Sequence, residues 1–236
     1  MSIRSFFKPI TVRDDLHAIL RRFFEMYFRP TMQVYDIGCG TKPFAAALHG
    51  KVAAYLGVDM ADGFYDASHI DIIGTAYHVP VADQVADAVI CAQVIEHLER
   101  PTEALYEIAR LLKKDGIFIL SFPFMYPMHA EPYDFNRFTE FQIQKMLDSA
   151  GFDIVTLERI GGFWYMMGIC TSIYAQVFDR GILKKTGIAA LLLWFIRAAF
   201  YGVHGIEGAM FKLFKKDVTT WRRRWTVNYA LVARKR

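Results

Sequence analysis

Two rhythms of hydrophobic positions alternate along the first two thirds of this chain. Short continuous apolar runs suit strands buried on both faces of a sheet, and between them apolar residues recur at helical spacing. Val34, Tyr35 and Ile37 belong to the first run, and residues 53–60 and 87–92 to the next two. Behind Pro101, a good first-turn residue, Leu105, Ile108, Leu111 and Leu112 line one helical face. Lys113 and Lys114 favour the negative end of that helix, and Gly116 permits its exit into a strand over 117–123. Thr139 and Gln142 form a capping-box pattern for a helix that runs to about Ala150, with Gly151 behind it. Residues 152–158 read as a sixth strand and residues 226–233 as a last one. Strands alternating with helices predict an α/β, doubly wound sheet. The interval from Asp59 to Asp71 is too short for a full crossover helix, so a stub or loop is expected there.

The first strand runs into a glycine turn, Asp36-Ile37-Gly38-Cys39-Gly40-Thr41-Lys42-Pro43-Phe44. Gly38 and Gly40 allow a tight turn, and their missing Cβ atoms would let a ligand approach the backbone. Pro43 suits the first turn of a following apolar helix, which Gly50 can close. A second acid, Asp59, ends the next strand one strand-helix-strand unit later, where a carboxylate commonly accepts from two vicinal ribose hydroxyls. A nicotinamide fingerprint needs a third glycine where this chain has Pro43, which argues against a dehydrogenase.

Asp36-x-Gly38-x-Gly40 instead resembles the opening of the class I S-adenosylmethionine-dependent methyltransferases. The resemblance extends through Gly74 to Val81, through Asp87 to Leu98 with its Glu96-His97 turn, and through Leu105 to Gly116, covering residues 34 to about 159. It implies a Rossmann-like seven-stranded sheet whose last strand is antiparallel. It also implies S-adenosylmethionine as cofactor, with S-adenosylhomocysteine as product, bound by Asp36, Gly38, Cys39, Gly40, Asp59, Met60, Thr75, Ala76 and Gln93. Thr75 stands where many relatives carry an acid for the adenine amino group; a hydroxyl accepts that bond more weakly.

The expected chemistry is SN2 methyl transfer, in which the protein positions the acceptor and shields the reaction. His97 follows Glu96 after the fourth strand. His129 opens a segment that resembles the His-x-x-Pro-x-Asp-x-x-Arg-x-Thr loop of a subset of the family. His129, Asp134 and Arg137 there could form an acid-base and anion-binding group, so His129, His97 and Asp134 are the catalytic candidates. The plainer reading is a loop held by an Asp134–Arg137 ion pair. A non-catalytic, cofactor-binding partner protein at a membrane surface is the alternative to an enzyme.

Composition changes this picture mainly at the other end of the chain. The 236 residues are 54% hydrophobic, with a net charge of +4. That charge is divided: residues 1–179 carry 15 basic and 22 acidic residues, whereas residues 180–236 carry 13 and 2. The basic end is also apolar, with an unbroken run from Ile188 to Ile196 that Arg197 interrupts and residues 198–203 continue. That falls short of the roughly 20 apolar residues of a spanning helix. An interfacial helix facing anionic headgroups and a set of helices packed on the domain are the two readings of it. Lys184, Lys185, Lys212, Lys215, Lys216 and residues 221–225 flank the run.

The domain expectation is a methyltransferase core over 1–160 and 226–236, opening with a helical segment over 1–30, and an inserted helical cap over 161–225. An apolar, basic cap suggests a small or amphiphilic, possibly lipid-linked acceptor. Nucleic acid is disfavoured, since the family's motifs for base methylation are absent. The three cysteines form no Cys-x-x-Cys pair and show no zinc spacing, so no disulfide and no metal are expected. No signal-peptide core stands at the first residues, and a reducing, cytoplasmic setting follows as an expectation. Oligomeric state is not legible.

Overall fold

A computed structural model describes residues 12–61, 66–175, 188–214 and 218–236. The first eleven residues of the expected N-terminal segment, and Lys184, Lys185, Lys215 and Lys216, lie outside them. The helices are α1 (Val12–Tyr27), α2 (Ala45–Leu48), α3 (Pro101–Leu111), α4 (Glu140–Ser149), α5 (Phe163–Ala175), α6 (Ile188–Leu213) and α7 (Val218–Arg223). The strands are β1 (Gln33–Ile37), β2 (Ala54–Asp59), β3 (Ile72–Ile73), β4 (Ala86–Ala92), β5 (Leu112–Pro123), β6 (Phe152–Gly161) and β7 (Thr226–Lys235).

The seven strands form one sheet in the order β3-β2-β1-β4-β5-β7-β6, with one antiparallel strand. β1 pairs in parallel with β2 on one side and β4 on the other. Strand order therefore reverses between β1 and β4, the switch point outside whose carboxyl ends doubly wound folds bind ligands. The central strands are apolar throughout because both faces are covered: Val34, Val89, Ile90, Phe118 and Leu120 are all fully buried.

The chain divides into two compact units. Among the described residues, one comprises 17–61, 66–124, 128–158 and 229–236; the other comprises 12–16, 125–127, 159–175, 188–214 and 218–228. The first holds most of the sheet and both sequence-predicted carboxylates of the glycine turn. Its core joins β1, β4 and β5 to Leu105, Ile108 and Leu111 of α3 and Ile143 and Leu147 of α4. In the second unit, Trp164 of α5 stacks on Phe200 of α6 at 6.2 Å, and Phe163 meets Trp225 edge-on at 5.0 Å.

Two local expectations need correction. Pro43 precedes α2 instead of lying in its first turn, because Phe44 is the N-cap. Helix α3 ends at Leu111, and Lys113 and Lys114 belong to β5. Beside β4 the register jumps from Ala86↔Leu112 to Ala88↔Ile117, so residues 113–116 form a bulge. There Lys113 pairs with Asp87 at 2.7 Å instead of serving the helix end. Gly116 is needed for the bulge rather than for a helix exit, since a Cβ would sit 2.8 Å from the Lys113 carbonyl oxygen. Arg197 interrupts the apolar run without ending the helix, and α6 is 26 residues long. A charged residue interrupts hydropathy, not helix geometry. Between β2 and β3 only the short 3-10 turn Ala67–His69 is seen among the described residues.

Candidate active site

The glycine turn sits where β1 ends, and its backbone is tied to β2. The Gly38 and Cys39 amides donate to the Val58 carbonyl at 2.8 and 3.2 Å. The Gly40 amide donates to Asp59 Oδ2 at 2.7 Å, and Asp59 Oδ1 accepts from the Met60 amide at 2.8 Å. Each Asp59 oxygen keeps a second lone pair, so two acceptor sites remain for vicinal hydroxyls. Gly38 and Gly40 have φ of 70° and 50°, the left-handed region that glycine enters without strain.

Glycine at position 38 also meets a packing demand. A Cβ there would lie 2.4 Å from Val94 Cγ2, so the missing side chain makes room for Val94. Gly57 on β2 has the same kind of role, since its Cβ would meet Lys42 Cε at 2.5 Å and Cys39 Sγ at 2.6 Å. Burial, with Asp36 and Asp59 nearby, pushes the Cys39 thiol up to about 12, so it stays protonated.

Asp36 is 2% exposed and accepts from the Tyr55 hydroxyl on β2. Burial pushes its pKa up to about 7; the Tyr55 bond and Lys42 pull it down, and Asp59 pushes it further up. Lys42 pairs with Asp71, whose Oδ2 also accepts the Gly57 amide at 2.6 Å. Tyr55, Gly57 and Asp71 were not among the predicted residues. Their signal is weak in sequence because each supports the turn from a neighbouring strand rather than from within the motif.

Thr75 lies in a tight turn in which its hydroxyl oxygen accepts the Tyr77 and His78 amides at 3.2 and 3.1 Å. Both lone pairs are used, which leaves the hydroxyl a donor only. The following segment is fastened to α3: Val79 donates its amide to Glu107 at 2.7 Å, and Arg110 donates to the carbonyls of Val79 and Val81, each at 2.9 Å. Gln93, with φ of 58°, donates its amide to the Ser121 carbonyl at 2.9 Å.

Beyond β4, a second cluster forms. The amides of Phe135 and Asn136 both donate to the Glu96 carbonyl at 3.0 Å, which draws the segment after β5 onto the Ile95–His97 turn. Asp134 receives both ends of the Arg137 guanidinium at 2.6 and 2.7 Å and the His129 amide at 2.9 Å. The guanidinium, more than any other neighbour, holds Asp134 down to about 2. The plainer reading of this ion pair therefore holds as geometry, and the same pair orients His129, whose Nδ1 lies 3.3 Å from Asp134. The His97 and His129 rings meet edge-on at 5.0 Å. His97 Nδ1 lies 2.7 Å from the Tyr133 carbonyl, so that nitrogen carries the proton. Burial lowers the His97 pKa and favours the neutral ring. Glu96, absent from the predicted site, is fully buried beside them, and burial pushes its pKa up to about 8.

The sheet order with its switch point, the acid-flanked glycine turn and the second acid on β2 converge with one comparison. Residues 35–120 match the family model described as a methyltransferase domain. Over those residues the chain is similar to the class I S-adenosylmethionine-dependent methyltransferases.

The chain is 31% identical over 103 residues to an uncharacterized methyltransferase, YcgJ, of Bacillus subtilis, covering 39% of this chain and 41% of that protein. It is 27% identical over 100 residues to a ubiquinone biosynthesis O-methyltransferase of Alkalilimnicola ehrlichii, covering 38% and 40%. The chain thus spans about two-fifths of the length of the curated relatives it matches. Among solved structures, the [4+2]-cyclase SpnF superposes with a TM-score of 0.60 at 18% identity, covering 97% of this chain and 84% of that one. A methyltransferase from Archaeoglobus fulgidus superposes with a TM-score of 0.57 at 17% identity, covering 94% of both chains. These likenesses show the fold.

The residues present fit S-adenosylmethionine. Asp36 is a buried carboxylate facing the turn region with Lys42 and Tyr55 as its neighbours, and Asp59 retains acceptor capacity for a diol at the end of β2.

Proposed function

We propose that this domain transfers a methyl group from S-adenosylmethionine to an oxygen of a small or amphiphilic acceptor. The observation that carries this reading is the Glu96-His97-His129-Asp134-Arg137 cluster, which begins two residues after Val94, itself packed against Gly38 of the glycine turn. When bound, S-adenosylmethionine supplies an activated methyl on a sulfonium. Asp59 would hold the ribose hydroxyls and Asp36 the polar end of the turn. His97, neutral and protonated at Nδ1, presents Nε2 as a proton acceptor. Asp134 and Arg137, at 3.3 and 3.5 Å from His129 Nδ1, orient the His129 ring beside it. The name of the Alkalilimnicola relative supports oxygen as the acceptor atom.

An amphiphilic acceptor is supported by the second unit. Val203, Ile206, Met210 and Leu213 of α6 repeat at helical spacing and are all exposed, with Phe214 and Trp221 following. Lys212, Arg223 and Arg224 are exposed near them. An apolar stripe beside cations suits the surface of an anionic membrane. Among the described residues, no helix is long and apolar enough to cross one.

The test is direct. The purified chain should be stabilised against heat by S-adenosylhomocysteine, and should pass a labelled methyl from S-adenosylmethionine to a hydroxyl-bearing lipid or quinone extract. Stabilisation by neither cofactor form would overturn the reading. Binding without transfer to any acceptor would favour a non-catalytic partner protein. Co-sedimentation with anionic but not neutral liposomes tests the surface, and indifference to both would remove the membrane.

A further inference from the structure

We propose that Glu96, His97 and His129 form a binding site for one divalent transition-metal ion whose open positions take the oxygen of the methyl acceptor. The inference rests on the methyl-transfer reading for the identity of that oxygen, but not for the ion itself.

The first observation is Glu96. Its side chain is fully buried, and neither carboxylate oxygen has a hydrogen-bond partner among the described residues. Buried polar atoms are nearly always partnered, and leaving a buried carboxyl without a partner is costly. Native chains keep such a group where something absent from the protein atoms completes it. Arg137, whose charge acts on Glu96, gives both its ends to Asp134.

The second observation is convergence. One carboxylate oxygen of Glu96 and one ring nitrogen each of His97 and His129 lie within 4.8 Å of one another. His97 Nε2 is 3.8 Å from Glu96 Oε1. Around an ion with bonds of about 2.0–2.1 Å, tetrahedral ligands stand roughly 3.3 Å apart. The three donors are thus slightly wider than a closed shell. His97 and His129 are both partly exposed, so small side-chain rotations bring them in.

The third observation is the outer support. The Tyr133 carbonyl at 2.7 Å requires a proton on His97 Nδ1, and His129 Nδ1 is flanked by Asp134 at 3.3 Å and the Arg137 guanidinium at 3.5 Å. His97 is thereby set to offer Nε2, and the His129 ring is held in place. Histidine ligands of metal sites carry this kind of carbonyl or carboxylate partner. The ligands come from two segments, the turn after β4 and the loop after β5, which the bonds from Phe135 and Asn136 to the Glu96 carbonyl hold together. No short-range spacing announces such a site.

Two imidazoles and one carboxylate suit zinc, manganese, iron(II) or cobalt(II) rather than calcium, which takes six to eight oxygens. Three protein ligands leave at least one position open. An acceptor hydroxyl bound there would release its proton to water and keep its electron pair on oxygen. That pair forms the new bond to the methyl carbon as the carbon–sulfur bond breaks, its electrons remaining on sulfur as the thioether. With the ion present, the imidazole lone pairs hold metal, and the ion takes over the task otherwise given to a histidine base.

The full-length chain, stripped with chelator and dialysed, is titrated with zinc chloride and with cobalt(II) chloride. The expected result is one equivalent bound, with a cobalt absorption spectrum of a nitrogen- and oxygen-ligated ion. Glu96→Gln and His129→Ala should each weaken binding by roughly 100-fold or more, at least the effect of losing an outer partner. Thermal melts and S-adenosylhomocysteine binding check that both variants fold. No stoichiometric binding, or binding unchanged in both variants, overturns the site. Full methyl transfer by the stripped chain would return the task to a histidine base and overturn the ion's role. Failure of the chain to bind S-adenosylhomocysteine would strike the methyl-transfer reading and leave the metal titration standing.

Discussion

Replacing Gly38 with Ala separates two explanations of the glycine turn. Position 38 has φ of 70°, and an alanine in that region costs about 1–2 kcal/mol. The new Cβ would also lie 2.4 Å from Val94 Cγ2 and 3.0 Å from Cγ1, against ordinary carbon contacts of about 3.5–4.0 Å. Overpacking of this kind costs about 1–3 kcal/mol. The expected loss is therefore about 2–5 kcal/mol, or roughly 4–20 °C in melting temperature for a chain of this size. Val94→Ala alone removes two methyl groups from a half-buried site and costs about 1–2 kcal/mol. In the double variant the clash is gone and only the backbone penalty remains. The two changes should then be less than additive by about 1–3 kcal/mol, measured by urea unfolding as a double-mutant cycle. S-adenosylhomocysteine affinity should return close to that of Val94→Ala. Strict additivity would refute the steric argument. Regained stability without regained binding would show that the glycine is there for ligand approach after all.

Three further outcomes follow from the same geometry. Asp36 has its folded pKa raised from 3.8 to about 7, so the folded chain holds a proton that the unfolded chain has released between about pH 4 and 7. Stability should be highest below that window, fall by up to about 4 kcal/mol as pH rises through it, and level off above it; Asp36→Asn should flatten this component in melts taken across the window. Arg110→Ala removes the guanidinium that bonds both Glu107 oxygens and the carbonyls of Val79 and Val81, and should cost about 2–4 kcal/mol in urea unfolding; a loss under about 1 kcal/mol would show that the 75–83 segment is held by other means. Asp59→Ala removes the acceptor of the Gly40 amide along with the expected ribose contacts, and should weaken S-adenosylhomocysteine binding at least tenfold by calorimetry, unchanged affinity refuting the role.

Much of the fold was legible because its signals are local. Buried parallel strands must be apolar on both faces, and helices must be stopped and capped, so Val34 to Ile37, Ile117 to Pro123 and the Thr139 cap could be read residue by residue. The β5 bulge was not legible, because Lys113 and Lys114 suit a helix end as well as a strand edge. Only the pairing with Asp87 on the neighbouring strand decides between them.

By itself, the sequence determined the order of elements, the acid-flanked glycine turn and the second acid on β2, because hydrophobic period, turn chemistry and capping act between residues close in the chain. The tertiary structure alone decided what those residues touch. Gly38 proves to accommodate Val94, a residue 56 positions away that meets it only because β1 and β4 are neighbours in the sheet. In the sequence Glu96 stood only as the residue before His97. It becomes the centre of the cluster because burial, a property of the whole core, strips its carboxylate of water and of every hydrogen-bond partner.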